Sequence, residues 1–259
     1  MNEIMIDKLI GVLMMVFAFL IYLKLKAYKI EKELGFAVIR AVIQLLAIAF
    51  FLGIIISINH PLYTISVLSF MIAFAAYIAR RRVIQIAGLY RPAVVGIFFG
   101  SVTILVYSVL MNIFPLEARF IIPFGSMVIA NAMNSTALAL NRFIGEIKAH
   151  RYRIESKLSL GVSVTIACKP HVRESVKASL IPAISTLESL GLVWIPGTMS
   201  GMILGGADPI WAAQYQLFVS FSILVGDALA SIVSIYLAAK VIFTKSHTFN
   251  EKIQLFLEQ

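Results

Sequence analysis

The chain has 259 residues, of which 60% are hydrophobic and only 14% charged, and its mean hydropathy is +0.93. A soluble domain is nearer half apolar and a quarter charged, so composition excludes an ordinary water-soluble globular protein. The formal charge of +9 does not point to nucleic acid, because the Lys and Arg residues flank apolar runs, as membrane topology requires.

A helix crosses the hydrocarbon core with about 20 apolar residues. Seven stretches qualify, near 5–23, 36–57, 62–79, 94–114, 120–140, 182–204 and 210–238. They predict an all-α integral membrane protein, a single transmembrane domain over residues 1–259. The first stretch contains Lys8 and lacks a small-residue cleavage pattern, so it reads as a retained span rather than a signal peptide. Lys24, Lys26, Lys29 and Lys32 follow it. Span two carries Arg40, shallow enough to snorkel, and Gln44 one turn later. His60-Pro61 opens span three, and Arg80, Arg81, Arg82 and Arg91 follow that span. Pro115 separates spans four and five. Lys240, Lys245 and Lys252 form the tail, and only Lys8 and Arg119 fall on the opposite side. The positive-inside rule therefore predicts the N-terminus outside and the C-terminus in the cytoplasm. The predicted location is a cell membrane, either a plasma membrane or a bacterial or archaeal inner membrane.

Span five carries Met127, Asn131, Asn134 and Ser135 at steps that place them on one helix face. Asn side chains are costly in lipid without partners. That face points either to a substrate path or to interhelical hydrogen bonds. Eight of the 22 basic residues lie between Arg142 and Lys177, in a stretch of about 40 residues expected to form a cytoplasmic loop, 142–181. From Ile144 to Leu160 apolar and charged residues alternate at helical spacing, Gly161 permits a turn, and a second amphipathic stretch runs from His171 to Leu180. Such a hairpin suits either a headgroup surface or a groove on a partner protein. Glu155, Leu158 and Gly161 are the candidate coupling residues.

Pro182 is expected to open span six, in which Gly197, Gly201 and Gly205 recur every four residues. That spacing allows another backbone to approach closely, and Pro196 is expected to kink the helix into a pivot. Asp208-Pro209 reads as an N-cap followed by proline at the first helical position. Asp227 lies near mid-depth of span seven, where an acid is a functional-site candidate. Glu188 faces away from the glycine stripe on an ideal helix. Met127, Met133, Met199 and Met202 could offer thioethers to a soft cation, or simply pack.

No catalytic constellation is present. The chain lacks G-x-x-x-x-G-K-[ST], so ATP hydrolysis by that motif would fall to another chain. His60, His150, His171 and His247 are scattered in sequence and show no metal-ligand spacing. Cys168 is the single cysteine, so no internal disulfide forms.

Several segments resemble permeases of ATP-binding-cassette transporters, and the FetB-like family in particular, which includes bacterial iron exporters and plant permeases of aluminium tolerance. The loop segment Ile154-Glu155-Ser156-Lys157-Leu158-Ser159-Leu160-Gly161 resembles that family's I-E-x-x-L-x-L-G. Pro123, Met127, Asn131, Met133 and Asn134 match its span-five pattern, with Ala130 where glycine is usual. Gly191-Leu192-Val193, Pro196-Gly197, Met199, Gly201, Ile203-Leu204, Gly206 and Pro209 match its span-six pattern. Thr198, Ser200 and Met202 depart from it, and Ala212, Tyr215 and Gln216 meet the following A-x-x-Y-Q loosely. The resemblance implies a homodimer working with two copies of a separate ATPase that binds ATP and Mg, no cofactor on this chain, and export of a metal ion, iron first. It leaves a nucleotide sugar such as UDP-glucose open as substrate. An ATP-independent secondary transporter would instead show paired broken helices in an inverted repeat, and only one strong Pro-Gly break is visible.

Overall fold

The computed structural model describes residues 2–26, 30–58, 60–83, 88–244 and 248–250. Lys29, Lys245, His247 and Lys252 lie outside the described residues. Among the described residues the fold is all-α, with no strand. The helices are α1 (Asn2–Leu25), α2 (Glu31–Ile58), α3 (Pro61–Arg82), α4 (Tyr90–Leu110), α5 (Ala118–Ala149), α6 (Arg151–Ser159), α7 (Val164–Ser189), α8 (Gly197–Leu204) and α9 (Pro209–Ile242). They form two compact units, Met1–Ile58 and Asn59–Gln259.

In the first unit, α1 and α2 pack on each other, with Leu20 Cδ1 at 3.7 Å from where a Cβ on Gly35 would lie. None of α2's residues is buried, although the helix is apolar on all sides. Such a helix is stable only in a nonpolar solvent. Among the described residues five helices are long and apolar enough to cross a membrane, α2, α3, α4, α5 and α9, with a shorter apolar stretch, Ile10–Leu25, in α1.

In the second unit, α5 is the central element and packs on α3, α4, α7 and α9. Phe124, Val128, Leu140, Phe143 and Ile147 give it an apolar face that is sealed from solvent. At one end Phe114, Phe124 and Phe218 cluster, with ring centroids 4.7 to 5.6 Å apart. The tightest seam is between α4 and α9. A Cβ on Gly100 would sit 2.5 Å from the Gly226 carbonyl oxygen and 2.8 Å from the Ala230 Cβ, and one on Gly96 would clash with Ser234. Small residues at i, i+4 thus let two backbones approach.

The structure corrects the sixth expected span. Residues 182–204 do not form one kinked helix. Pro182 lies inside α7, the helix ends at Ser189, and the chain turns through Gly191 at φ +80°. The backbone N–H groups of Gly191 and Trp194 close this turn, donating to the Trp194 and Ser189 carbonyls at 2.9 and 3.1 Å. Pro196 is the N-cap of α8 rather than a kink within a helix. Among the described residues nothing lies within 4 Å of where a Cβ on Gly197 or Gly201 would stand, and Gly205 is the C-cap of α8. The expected close approach along this stripe is therefore not made among the described residues. The Asp208 cap is made: its carboxylate accepts from the backbone N–H of Ile210 at 2.9 Å and of Trp211 at 3.1 Å, with Pro209 opening α9.

The basic stretch 142–181 is almost wholly helical, comprising the end of α5, all of α6 and most of α7. At about 1.5 Å per residue, the 32 residues of α5 exceed the ~30 Å apolar core of a bilayer, so the helix projects beyond it. Gly161 ends α6 at φ +82°, with its N–H donating to the Leu158 carbonyl and that of Val162 to the Lys157 carbonyl. This Schellman closure requires the left-handed conformation that glycine adopts freely.

Candidate functional site

A cavity of about 230 Å³ lies between α5, α7 and α9. Asn131, Asn134 and Ser135 reach it from α5, Ser179 and Thr186 from α7, and Gln216, Ser220 and Asp227 from α9, with Trp194 of the α7–α8 turn at its rim. On α9 the steps from 216 to 220, 223 and 227 are four, three and four residues, which keeps the set on one face. Asp227 is near the middle of α9, about 27 Å along the axis from Pro209 at ~1.5 Å per residue.

The hydrogen bonds explain how the walls are held. Gln216 Nε2 donates to the Ser220 hydroxyl at 3.0 Å, and the Ser179 hydroxyl donates to Ser231 at 3.0 Å, joining α7 to α9. Asn131 Nδ2 donates to the Met127 carbonyl at 2.9 Å, and the Ser135 hydroxyl, beside Asp227, donates to the Asn131 carbonyl at 3.0 Å. At the rim, Arg82 Nη1 donates to Asn134 Oδ1 at 2.9 Å, and Asn141 Nδ2 to the Arg82 carbonyl at 2.9 Å.

Two acceptors are left over. Asp227 and Gln216 are each only 5% exposed, and Asp227 Oδ1 and Gln216 Oε1 have no hydrogen-bond partner. An unsatisfied buried acceptor costs roughly 1–3 kcal/mol, and more if charged. Two such atoms facing one cavity form a place for a cation, a donor-bearing ligand or water. A volume of about 230 Å³ holds a few waters at ~30 Å³ each, or a partly hydrated ion. It is below the roughly 300–1,000 Å³ usual for drug-sized ligands.

The structure therefore gathers three of the expected path residues, Asn131, Asn134 and Asp227, around one cavity. Met127 and Met199 do not line it. The Thr198 hydroxyl reaches Met127 Sδ at 3.9 Å, which links α8 to α5. Ser220, Ser179 and Thr186 are not singled out by the sequence, and Gln216 enters there only through a loosely met family pattern, not as a path residue. The α9 pair was legible as a polar stripe in phase with Asp227, whereas the α7 pair was hidden because Pro182 reads as a helix start.

The candidate coupling residues sit on and after α6. Glu155 accepts from Arg151 Nε at 2.8 Å, and Leu158 packs on the core beside the fully buried Ile154. The outward face instead carries Tyr152, 82% exposed, and Leu160, 83% exposed, among Arg153, Ser156 and Ser159. The histidines are less scattered than their spacing suggests. The rings of His150 and His171 lie with centroids 4.7 Å apart and planes tilted by 35°, beside Glu146.

Comparison with known proteins places the chain. The family model described as "Uncharacterised protein family (UPF0014)" matches residues 6–243. The UPF0014 membrane protein YjkA of Bacillus subtilis is 34% identical over 237 residues, covering 90% of this chain and 94% of the relative. The probable iron export permease protein FetB of Escherichia coli is 31% identical over 221 residues, 84% of each chain. Protein ALUMINUM SENSITIVE 3 of Arabidopsis thaliana is 32% identical over 219 residues, 84% of this chain and 80% of the relative. No solved structure matches the chain.

Proposed function

The chain belongs to the UPF0014 family of multi-pass membrane proteins, and we propose that it is the permease subunit of an ATP-binding-cassette transporter that exports a metal cation, iron first, through the cavity between α5, α7 and α9. The observation that carries this reading is the pair of orphaned oxygens, Asp227 Oδ1 and Gln216 Oε1, facing a small polar cavity inside a membrane bundle. Oxygen donors suit hard or borderline cations. The volume favours an ion over a nucleotide sugar. A relative named as a probable iron export permease supports the same cargo.

Power comes from a separate ATPase that holds ATP and Mg; the chain itself has no phosphate-binding loop. The hairpin of α6 and α7 is the docking element. Its exposed Tyr152 and Leu160 form an apolar surface ringed by basic residues, on elements that the charge distribution assigns to the cytoplasm. The cavity rim is open on one side, where Asn134, Leu138 and Thr186 are exposed. This exposed polar strip is the side on which a second copy of the chain packs. Alternating access follows: ATP draws the two ATPases together, the hairpin carries the motion to α5 and α7, and the cavity opens outward.

The test is co-purification with an ATP-binding-cassette ATPase, followed by reconstitution and ATP hydrolysis across a panel of metal ions and UDP-glucose. A stable complex with hydrolysis stimulated by iron is expected. Stimulation by UDP-glucose and by no metal would replace the cargo. Transport driven by an ion gradient with no ATPase bound would replace the transporter class.

A further inference from the structure

Away from the cavity, and sharing no residue with it, a second polar cluster sits where α5, α6 and α7 meet. We propose that Glu146, His150 and His171 form a site for a divalent first-row transition-metal ion. Glu146 Oε2 lies 3.1 Å from His171 Nδ1 and 3.5 Å from His150 Nδ1, and the candidate ligand atoms of the three residues all lie within 4.8 Å of one another. A tetrahedral ion with bonds of roughly 2.0–2.1 Å sets its ligands about 3.3–3.4 Å apart, so the observed spacings bracket the required one. Two imidazoles and one carboxylate are the donors that borderline divalent ions take.

The surroundings fit. Arg142 Nη2 holds the other carboxylate oxygen, Oε1, at 2.8 Å, which orients Glu146 with Oε2 hydrogen-bonded to His171 Nδ1, a contact that a bound ion would replace. The arginine also adds positive charge, but its side chain is 56% exposed and its guanidinium is free to move outward as an ion enters. His171 is buried on α7, while His150 caps α5 and is partly open to solvent. That opening supplies an entry path and a position for a water ligand. The carboxyl end of α5 presents carbonyl oxygens and the negative end of its dipole, which favours a cation. A bound ion would tie the end of α5, the cap before α6 and the body of α7 together, fixing the root of the hairpin.

The test uses the full-length chain in detergent, stripped with a chelator, and titrated with Zn²⁺ against a chromogenic chelator and with Co²⁺ by visible absorption. The intense band of four-coordinate Co²⁺ is expected to saturate at one ion per chain, a signature that the oxygen-donor cavity would not give. His171→Ala and Glu146→Gln should weaken binding by more than about a hundredfold, beyond the roughly 10–100-fold lost with an outer-shell partner. His150→Ala changes a part-exposed side chain and keeps the fold, so it decides the matter where His171→Ala does not fold. His60→Ala removes a histidine outside both the cluster and the cavity and should bind Zn²⁺ as the parent does. Unchanged affinity in His150→Ala, or an equal loss in His60→Ala, would overturn the assignment.

Discussion

The α4–α9 seam and α8 carry the same sequence signature and meet opposite ends. Gly96 and Gly100 stand four residues apart, as do Gly197 and Gly201. On α4 the missing side chains are filled by the backbone and small side chains of Gly226, Ala230 and Ser234. On α8 they face open space. A glycine repeat therefore announces that close approach is possible; the partner's small residues decide whether it occurs. α9 supplies Gly-x-x-x-Ala-x-x-x-Ser from Gly226 to Ser234, and among the described residues nothing plays that part for α8.

The sharpest way to break the comparison is to fill both grooves. Gly100→Leu inserts a side chain where even a Cβ would lie 2.5 Å from the Gly226 carbonyl. It should cost at least the ~1–3 kcal/mol of an overpacked core and lower the thermal midpoint in detergent or abolish monodisperse protein. A midpoint equal to the parent's would mean the seam is looser than described. Gly161→Val tests a glycine needed for conformation rather than for space. The left-handed φ of +82° costs a non-glycine residue roughly 1–2 kcal/mol, more for a β-branched one. Insertion should survive while ATPase coupling falls by an order of magnitude; normal coupling would remove the hairpin turn from the docking element. Gly201→Leu should leave the midpoint of the single chain unchanged, because among the described residues no atom lies within 4 Å of where its Cβ would stand. Any loss should appear only in cross-linking between copies, and a destabilised monomer would contradict the open groove.

The smallest expected effect is at Cys168, 1% exposed on α7. Burial pushes its thiol up to about 11, despite Lys157 nearby pulling it down. The thiolate is the reactive form, so its fraction is small at neutral pH and rises only as pH nears that value. A maleimide should label it slowly in the folded protein at pH 7 and quickly after unfolding. Fast labelling of the folded chain would show that α7 is not packed as described.

The helical membrane class was legible because apolar runs of about 20 residues have few other uses. The break in span six was not. Residues 182–204 are apolar enough for a span, and Pro182 looks like a helix start, yet α7 runs through Pro182 and stops only at Ser189. Packing on α5 and α9 sustains a helix that the local sequence would interrupt. The same misreading hid Ser179 and Thr186 from the cavity. Asn131, Asn134 and Asp227 stood out because isolated polar groups in apolar spans are costly. Glu146 and His150 are four residues apart and could have been paired on one helix face. His171 could not, since only the fold returns α7 to the end of α5.

The account turns on Asp227. Asp227→Asn keeps the shape of the cavity and removes its one carboxylate. In the reconstituted complex with its ATPase, the variant should retain basal ATP hydrolysis and lose iron-stimulated hydrolysis, or shift it by about tenfold or more in iron concentration, an effect of ~1.4 kcal/mol. Iron stimulation with the parent's concentration dependence would show that the cation does not pass Asp227.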